Sequence, residues 1–211
     1  MRAPSTAARW LAGLTALVAI LSLVLQYVLL LAAGGGLAGL GQASLRFLGY
    51  FTILSNIGVA VVCLARASGE AGGLAGPGPR AAVALYIGIT GLVYVLVLRT
   101  LWHPQGWQWW ADTGLHYAVP VLYLLGWALG EHGGLHWRQL VLALLLPVAY
   151  LAWAMLLGRV TGEYPYPFLD LETLGWPALL GNVASMTLAF IALGGLLWKL
   201  DESLARRRSA P

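Results

Sequence analysis

The chain has 211 residues, of which 60% are hydrophobic and 9% are charged, and its mean hydropathy is +0.78. This composition excludes a soluble globular enzyme and indicates an integral membrane protein. The net charge of +4 does not indicate a nucleic-acid partner, because the Arg206–Arg208 cluster is too short for one. The single cysteine, Cys63, excludes an intramolecular disulfide and a cysteine metal site.

Six apolar runs are each long enough to span the ~30 Å of hydrocarbon in a bilayer. They predict an all-α polytopic membrane protein, a single domain (1–211) of six transmembrane helices at residues 10–32, 45–65, 81–101, 113–130, 139–158 and 175–197. The first run could also be a secretory signal, because Arg2 and Arg9 precede it and small residues follow it. It is longer than the apolar part of a usual signal and more spans follow, so we interpret it as the first helix.

The connections are too short for a soluble domain. Residues 33–42 are rich in glycine and are typical of a flexible linker, with no phosphate-binding pattern. The segments 103–110 and 164–170 differ, because both combine aromatic residues, prolines and ionisable groups. They are typical of an interfacial aromatic belt, or alternatively of a rigid lid over an outward-facing pocket.

Basic residues predict the orientation of the bundle, because they accumulate on the cytoplasmic side. With the N-terminus in the cytoplasm, three basic residues lie outside, namely Arg46, Arg99 and Arg159. The other nine lie inside, namely Arg2, Arg9, Arg66, Arg80, Arg138, Lys199, Arg206, Arg207 and Arg208. We therefore expect both termini in the cytoplasm.

Seven polar side chains within the apolar runs predict a shared site, because unpaired polar groups are costly in hydrocarbon. They are Gln26, Thr52, Ser55, Asn56, His116, Asn182 and Ser185. At about 1.5 Å rise per residue, Thr52 and Asn182 lie ~10 Å, and His116 ~5 Å, below the outer starts of their helices. Gln26 reaches the same level from the opposite direction. All seven are thus expected in one half of the bilayer.

Each of these residues also has a structural interpretation. A threonine in a membrane helix often bonds to its own backbone, and Asn56, Asn182 and Ser185 suit helix–helix packing. A histidine within a membrane is a functional candidate, and Asp112, one turn before His116, is its nearest predicted partner. An interhelical hydrogen bond remains the alternative for His116.

Three segments carry a resemblance to a known family. They are GYFTILSN at residues 49–56, HYAVP at residues 116–120 with Trp127 following, and YPYPFLD at residues 164–170. Their order, their spacing and the six spans resemble the bacterial Pr6Pr membrane family over nearly the whole chain. The resemblance implies a multi-pass protein of the bacterial cytoplasmic membrane.

The Pr6Pr family is distantly similar to the eukaryotic androgen-induced proteins. Those six-span enzymes hydrolyse fatty acid esters of hydroxy fatty acids with a threonine nucleophile and a histidine. The threonine of their Tyr-x-Thr segment falls on Thr52, and the histidine of their His-x-x-x-Leu-Pro segment falls on His116, although Val119 stands before Pro120. The resemblance implies Thr52 and His116 as catalytic residues and a fatty acyl ester as the substrate, without a cofactor.

The chemistry of this pair is reasonable, because a neutral imidazole can take the proton of a threonine hydroxyl and pass it to the leaving alkoxide. From their positions, Asp112 is expected to orient the imidazole, and Asn56 or Asn182 to stabilise an oxyanion. No Gly-x-Ser-x-Gly nucleophile motif is present.

Two alternatives use the same residues. A metal site could form on the outer side, although no zinc-binding spacing is present, from His103, Asp112, His116, Asp170 and Glu172. The polar cluster could instead belong to a non-catalytic protein that binds or transports an amphiphile. Acylation of Thr52 distinguishes this alternative from the hydrolase.

Overall fold

The computed structural model describes residues 3–209, and the side chains of residues 3–207. Arg2 lies outside the described residues, as does the side chain of Arg208. The described chain consists of helices and short connections and contains no strand, which confirms the predicted all-α class.

Nine α-helices follow one another along the described chain. They are α1 (Thr6–Ala33), α2 (Leu40–Leu48), α3 (Phe51–Ala67), α4 (Pro77–Leu96), α5 (Gly106–Thr113), α6 (Val119–Ala128), α7 (Trp137–Ala143), α8 (Leu145–Thr161) and α9 (Leu171–Ser209). A π-helical segment, Gly114–Ala118, joins α5 directly to α6. A short 3₁₀ turn, Pro167–Leu169, precedes α9.

Four helical stretches are long and apolar enough to cross a membrane: Thr6–Ala33, Pro77–Thr100, Trp137–Thr161 and Leu171–Arg207. The pair α2–α3 makes a fifth if its two helices, which meet at 82°, count as one broken span. The stretch formed by α5, the π segment and α6 carries Asp112 and His116 and is not among them. The fold is therefore that of a membrane protein with four to five candidate spans, and the six-span count stays a prediction.

The predicted second helix, residues 45–65, is broken at Gly49 and Tyr50. A side chain at Gly49 would come within 2.8 Å of Leu157 on α8, so glycine permits the close approach of the two helices. The carbonyl groups freed at the end of α2 accept hydrogen bonds from α8, from Trp153 Nε1 to Leu48 and from Tyr150 Oη to Gly49. The break is stable because these backbone groups find partners.

Two prolines mark further irregularities in the predicted spans. Pro147 cannot donate to the Ala143 carbonyl, which accepts a hydrogen bond from Tyr86 Oη at 2.6 Å instead. Pro120 likewise cannot donate to the carbonyl of His116, and the chain widens into the π segment just before it. The second irregularity determines where His116 lies.

Helix α3 is central, packing against α1 and α4, and α4 also contacts α6 and α9. The core around it is closely packed and includes Val59, Ala84 and Leu85, which have no exposed surface. The first turn of α3 carries Thr52 and its last turn carries Arg66. These residues mark the two polar ends of the bundle.

Candidate active site

Thr52 lies in the first turn of α3, directly after the bend at Tyr50. Depth counting from residue 45 predicted a position well inside a helix, and this is wrong because the helix restarts at Phe51. The residue is buried, with 6% of its surface exposed. Its backbone N–H, which has no intrahelical partner at this position, donates to Tyr166 Oη at 3.2 Å.

His116 lies next to Thr52 although the two residues are far apart in sequence. Its Nε2 is 3.2 Å from Thr52 Oγ1. The π segment that carries His116 packs against both α1 and α3, and π segments often occur at functional sites. The predicted contact between the threonine hydroxyl and the imidazole is therefore present in the structure.

The other ring nitrogen of His116 faces Asp112. Nδ1 is 3.2 Å from the carboxylate Oδ1 and 3.1 Å from the main-chain oxygen of Asp112. Because a carboxylate and a carbonyl only accept hydrogen bonds, Nδ1 carries the ring proton and Nε2 presents its lone pair to the Thr52 hydroxyl. This is the tautomer that a general base for Thr52 requires.

Tyr94 on α4 supports the His116–Asp112 pair from the other side. Its hydroxyl donates to Asp112 Oδ2, and its ring stacks on the imidazole with the centroids 4.1 Å apart. The sequence did not indicate this role, because a tyrosine near the end of a predicted span is equally typical of an interfacial belt.

Tyr166 is the second residue that the sequence analysis missed as a member of the site. Its hydroxyl lies 3.2 Å from both the backbone nitrogen and the hydroxyl oxygen of Thr52. Burial raises the pKa of Tyr166 above its ordinary value of 10, and the hydrogen bonds with Thr52 offset this only in part. The hydroxyl therefore keeps its proton at neutral pH. The resemblance singled out residues 164–170, but only as a motif of the surface loop.

Two cavities meet at Thr52. The larger has a volume of about 460 Å³, and its polar lining residues are Gln26, Arg46, Thr52, Gln108, Asp112 and His116. The smaller has a volume of about 180 Å³ and is lined mainly by apolar side chains of α4, α8 and α9. Thr52 and Tyr166 line both cavities. Thr52 thus borders a partly polar compartment and an apolar one.

The remaining polar residues do not all share this pocket. Gln26 lines the larger cavity and accepts a hydrogen bond from Gln108 Nε2 at 2.7 Å. Ser55 is fully buried and bonds to the Thr52 carbonyl and the Thr90 hydroxyl. Ser185 is exposed and donates to the Gly181 carbonyl of its own helix, whereas the sequence predicted a role in helix–helix packing. One pocket for all seven residues is therefore wrong.

The two asparagines expected to stabilise an oxyanion donate elsewhere. Asn56 Nδ2 donates to the carbonyl groups of Thr52 and Leu115, at 2.8 Å and 3.3 Å, and so links α3 to the π segment. Asn182 Nδ2 donates to the Phe168 carbonyl at 3.0 Å and lines neither cavity. The geometry corrects their role from oxyanion donors to supports of the backbone around the site.

The metal alternative has no support in the described residues, among which no three His, Cys, Asp or Glu side chains come together at a metal-binding distance. Asp170 accepts hydrogen bonds from Thr173 at the start of α9, and Glu172 forms an exposed ion pair with Arg159. Asp112 and His116 interact with each other, as described above.

In comparisons with known proteins, no family model, no curated protein and no solved structure matches this chain. The site therefore has to be interpreted from its own geometry.

Proposed function

We propose that this protein is a membrane-embedded hydrolase of lipid-like fatty acyl esters, with Thr52 as its nucleophile. The observation that carries the proposal is the chain of hydrogen bonds from Asp112 through His116 to a buried threonine hydroxyl at the junction of two cavities. Nucleophile, base and orienting carboxylate stand in the order that acyl transfer requires.

The proposed reaction has two steps. Thr52 Oγ1 attacks the ester carbonyl carbon while its proton moves to His116 Nε2, and the carbonyl oxygen takes up the negative charge. The tetrahedral intermediate then breaks its bond to the alcohol oxygen, which leaves with the proton from Nε2, and an acyl-threonine remains. Water attacks this ester with the same base, which releases the fatty acid and restores Thr52.

Tyr166 is the proposed donor to the oxyanion. Its hydroxyl retains its proton and already lies 3.2 Å from Thr52 Oγ1, so it is close to the point where charge develops. Asp112 stabilises the imidazolium that forms after proton transfer, and Tyr94 holds the carboxylate in place.

The two cavities suggest how an ester is arranged around Thr52. The apolar cavity suits the acyl chain, since its walls offer contacts of the kind that lipid offers. The larger cavity suits the alcohol part, whose polar groups would meet Gln26, Arg46 and Gln108. An apolar compartment beside the nucleophile favours a lipid-like ester over a water-soluble one.

The proposed setting is a Pr6Pr-type protein with six spans in the bacterial cytoplasmic membrane, both termini in the cytoplasm and the Thr52 end outside. The separation of charged groups supports it, because Arg46 and Arg159 lie near the Thr52 end whereas Arg66 and Arg80 lie at the other end of α3 and its partner helix. Gly106→Cys in a protein without Cys63 should react with an impermeant thiol reagent only from outside. Reaction only from the cytoplasmic face would overturn this topology.

The nucleophile is tested by treating the purified protein with a fluorophosphonate and locating the adduct. Labelling and hydrolysis should both be lost in Thr52→Ala and His116→Ala. Thr15→Ala is the matched control, because Thr15 is an equally buried threonine that only donates to the Leu11 carbonyl. Hydrolysis that persists in Thr52→Ala would exclude Thr52 as the nucleophile.

The second candidate function is the binding or transport of an amphiphile without catalysis. The same pair of cavities favours it, because a polar and an apolar compartment side by side fit a head group and a chain. Saturable binding of a fatty amphiphile by a wild-type protein that is inert toward esters and the fluorophosphonate would select this function.

A further inference from the structure

A second buried polar cluster lies at the end of the bundle opposite Thr52. Arg66 at the end of α3 and Arg80 near the start of α4 both contact Glu131 in the connection after α6. The distances to Glu131 Oε2 are 2.6 Å from Arg66 Nη2 and 3.5 Å from Arg80 Nη1, which also donates to the Glu131 carbonyl at 3.2 Å. Only 7% of Arg66 and 6% of Arg80 is exposed.

The two arginines of this cluster share the oxygens of one carboxylate, that of Glu131. Asp201 adds a second negative charge near Arg80, but its oxygens accept hydrogen bonds from His132 and from the backbone N–H groups of the following loop. Two guanidinium groups offer more donors than one carboxylate can accept, so an additional oxyanion would find partners here.

The arginines also have spare hydrogen-bond donors. Arg80 Nη2 is buried and has no partner among the described residues. It lies against Gly130, where any side chain would overlap Arg80 Nη2 and come within 3.2 Å of Arg66 Nη2. Glycine at this position therefore leaves the room that both guanidinium groups occupy.

A cavity of about 370 Å³ adjoins the cluster and is lined by Arg66, Arg80, Glu131, Gly133 and Gly134, with Ala71 on its wall. The guanidinium group is planar and offers donors in a fork that matches the oxygens of a phosphate. Basic pockets between membrane helices on the cytoplasmic side bind anionic lipid head groups in the same way.

We propose that this cavity is a binding site for a phosphate-type oxyanion, held by Arg66 and Arg80. The anion would come from the head group of an anionic lipid or from inorganic phosphate, since the two share the chemistry that the arginines recognise. This site is separate from Thr52, so the proposal does not depend on ester hydrolysis.

The experiment measures the melting temperature of the purified protein in two arms. In a detergent with a neutral head group, inorganic phosphate is titrated at constant ionic strength. In the other arm, nanodiscs of phosphatidylcholine receive increasing fractions of phosphatidylglycerol. A ligand that binds only the folded protein raises the melting temperature in a saturable way. A rise in the first arm identifies free phosphate, and a rise in the second alone identifies the lipid head group.

Variants separate binding from a merely structural role. Arg80→Gln and Arg66→Gln should raise the anion concentration needed for half of the melting-temperature shift by roughly tenfold or more. This is the usual effect of losing a hydrogen bond to a charged group. Ala71→Trp fills the cavity without removing a charge and should abolish the shift. Arg159→Gln is the matched control, because it removes an exposed positive charge near the Thr52 end of the bundle. It should keep the anion-dependent rise in melting temperature.

Glu131→Gln distinguishes the two roles most sharply. If Glu131 competes with an anion for the arginines, Glu131→Gln should lower the anion concentration needed for half of the shift. A purely structural ion pair instead predicts a less stable protein whose melting temperature does not respond to anions. No saturable shift in either arm of the wild type, or an undiminished shift in Ala71→Trp and Arg66→Gln, overturns the proposal. Those two variants decide the matter if Arg80→Gln does not fold.

Discussion

The hydroxyl of Tyr166 should affect catalysis more strongly than stability. Tyr166→Phe removes the hydroxyl and keeps the ring, which stacks on Phe168 and packs edge-on against Tyr50. The structure assigns this hydroxyl two contacts of 3.2 Å, with the backbone nitrogen and the side-chain oxygen of Thr52. Both contacts are lost in the variant, while the Thr52–His116 hydrogen bond remains.

Two magnitudes follow from these contacts. The N–H of Thr52 loses its one hydrogen-bond partner among the described residues and stays buried, which should cost about 1–3 kcal/mol of folding stability. Loss of a donor to the oxyanion should lower kcat by about 10²- to 10³-fold, with little change in KM, because the donor acts mainly on the transition state.

The assay is hydrolysis of a long-chain acyl ester in mixed micelles, with melting temperature measured in parallel. Tyr123→Phe is the control, because it removes another buried tyrosine hydroxyl, which donates to the Arg80 carbonyl at 3.0 Å. The control should lose stability and keep its rate. If Tyr166→Phe hydrolyses the ester as fast as Tyr123→Phe does, Tyr166 is not the oxyanion donor.

Three further predictions concern other parts of the molecule. Burial raises the pKa of Glu131, but the hydrogen bond from Arg66, a backbone hydrogen bond and the charges of Arg66 and Arg80 together outweigh it, so the folded pKa lies below the ordinary 4.5. The stability that this ion pair contributes should be complete above pH 4.5 and lost as pH falls through the folded pKa. If the melting temperature of Glu131→Gln falls with decreasing pH as much as that of the wild type, this prediction is wrong. Met186→Trp, in the wall of the smaller cavity, should lower the ratio of kcat/KM for long over short acyl chains by roughly tenfold; an unchanged chain-length profile would place the acyl chain elsewhere. Gly114→Ala should overlap Ser22 on α1 and lower the melting temperature, and Ser22→Gly should restore it in part; if Gly114→Ala melts like wild type, the π segment is not packed against α1 as described.

The positions of the helices along the chain could be predicted from hydropathy, because a long apolar run cannot leave its backbone groups unpaired in a bilayer. Every stretch predicted as a span is mainly helical in the structure, although the second is broken at Gly49 and Tyr50 and the fifth at Leu144. The break at Gly49 could not be predicted, since it depends on Trp153 and Tyr150 of a distant helix, which donate hydrogen bonds to the carbonyl groups of Leu48 and Gly49. A sequence pattern gives the depth of a residue only along an unbroken helix, and it does not show which helices are neighbours.

The same limit explains which contacts of the candidate site residues could be predicted. The resemblance paired Thr52 with His116 and their predicted positions in the same half of the bilayer agreed with it; the two side chains are 3.2 Å apart in the structure. Asn56 and Asn182 share that depth, but their amides bind main-chain carbonyls. Depth could not separate the two cases, because a polar residue in a membrane helix can equally well satisfy backbone groups or line a cavity.

The two aromatic segments, residues 103–110 and 164–170, have similar compositions but differ in burial. Burial shows which of them fits an interfacial belt and which contributes to a pocket. Trp107, Trp109 and Trp110 are exposed, as an interfacial belt requires. Tyr166 is buried, bonds to Thr52 and lines both cavities.

The segment 164–170 is also fixed after Tyr166. Asn182 donates to the carbonyl of Phe168, and Asp170 accepts hydrogen bonds from Thr173 at the start of α9. Residues 164–170 therefore form a wall of the candidate site, held by contacts at residues 166, 168 and 170, and not a belt at the membrane surface. A change in this segment that disturbs Tyr166 acts directly on the hydrogen bonds of the proposed nucleophile.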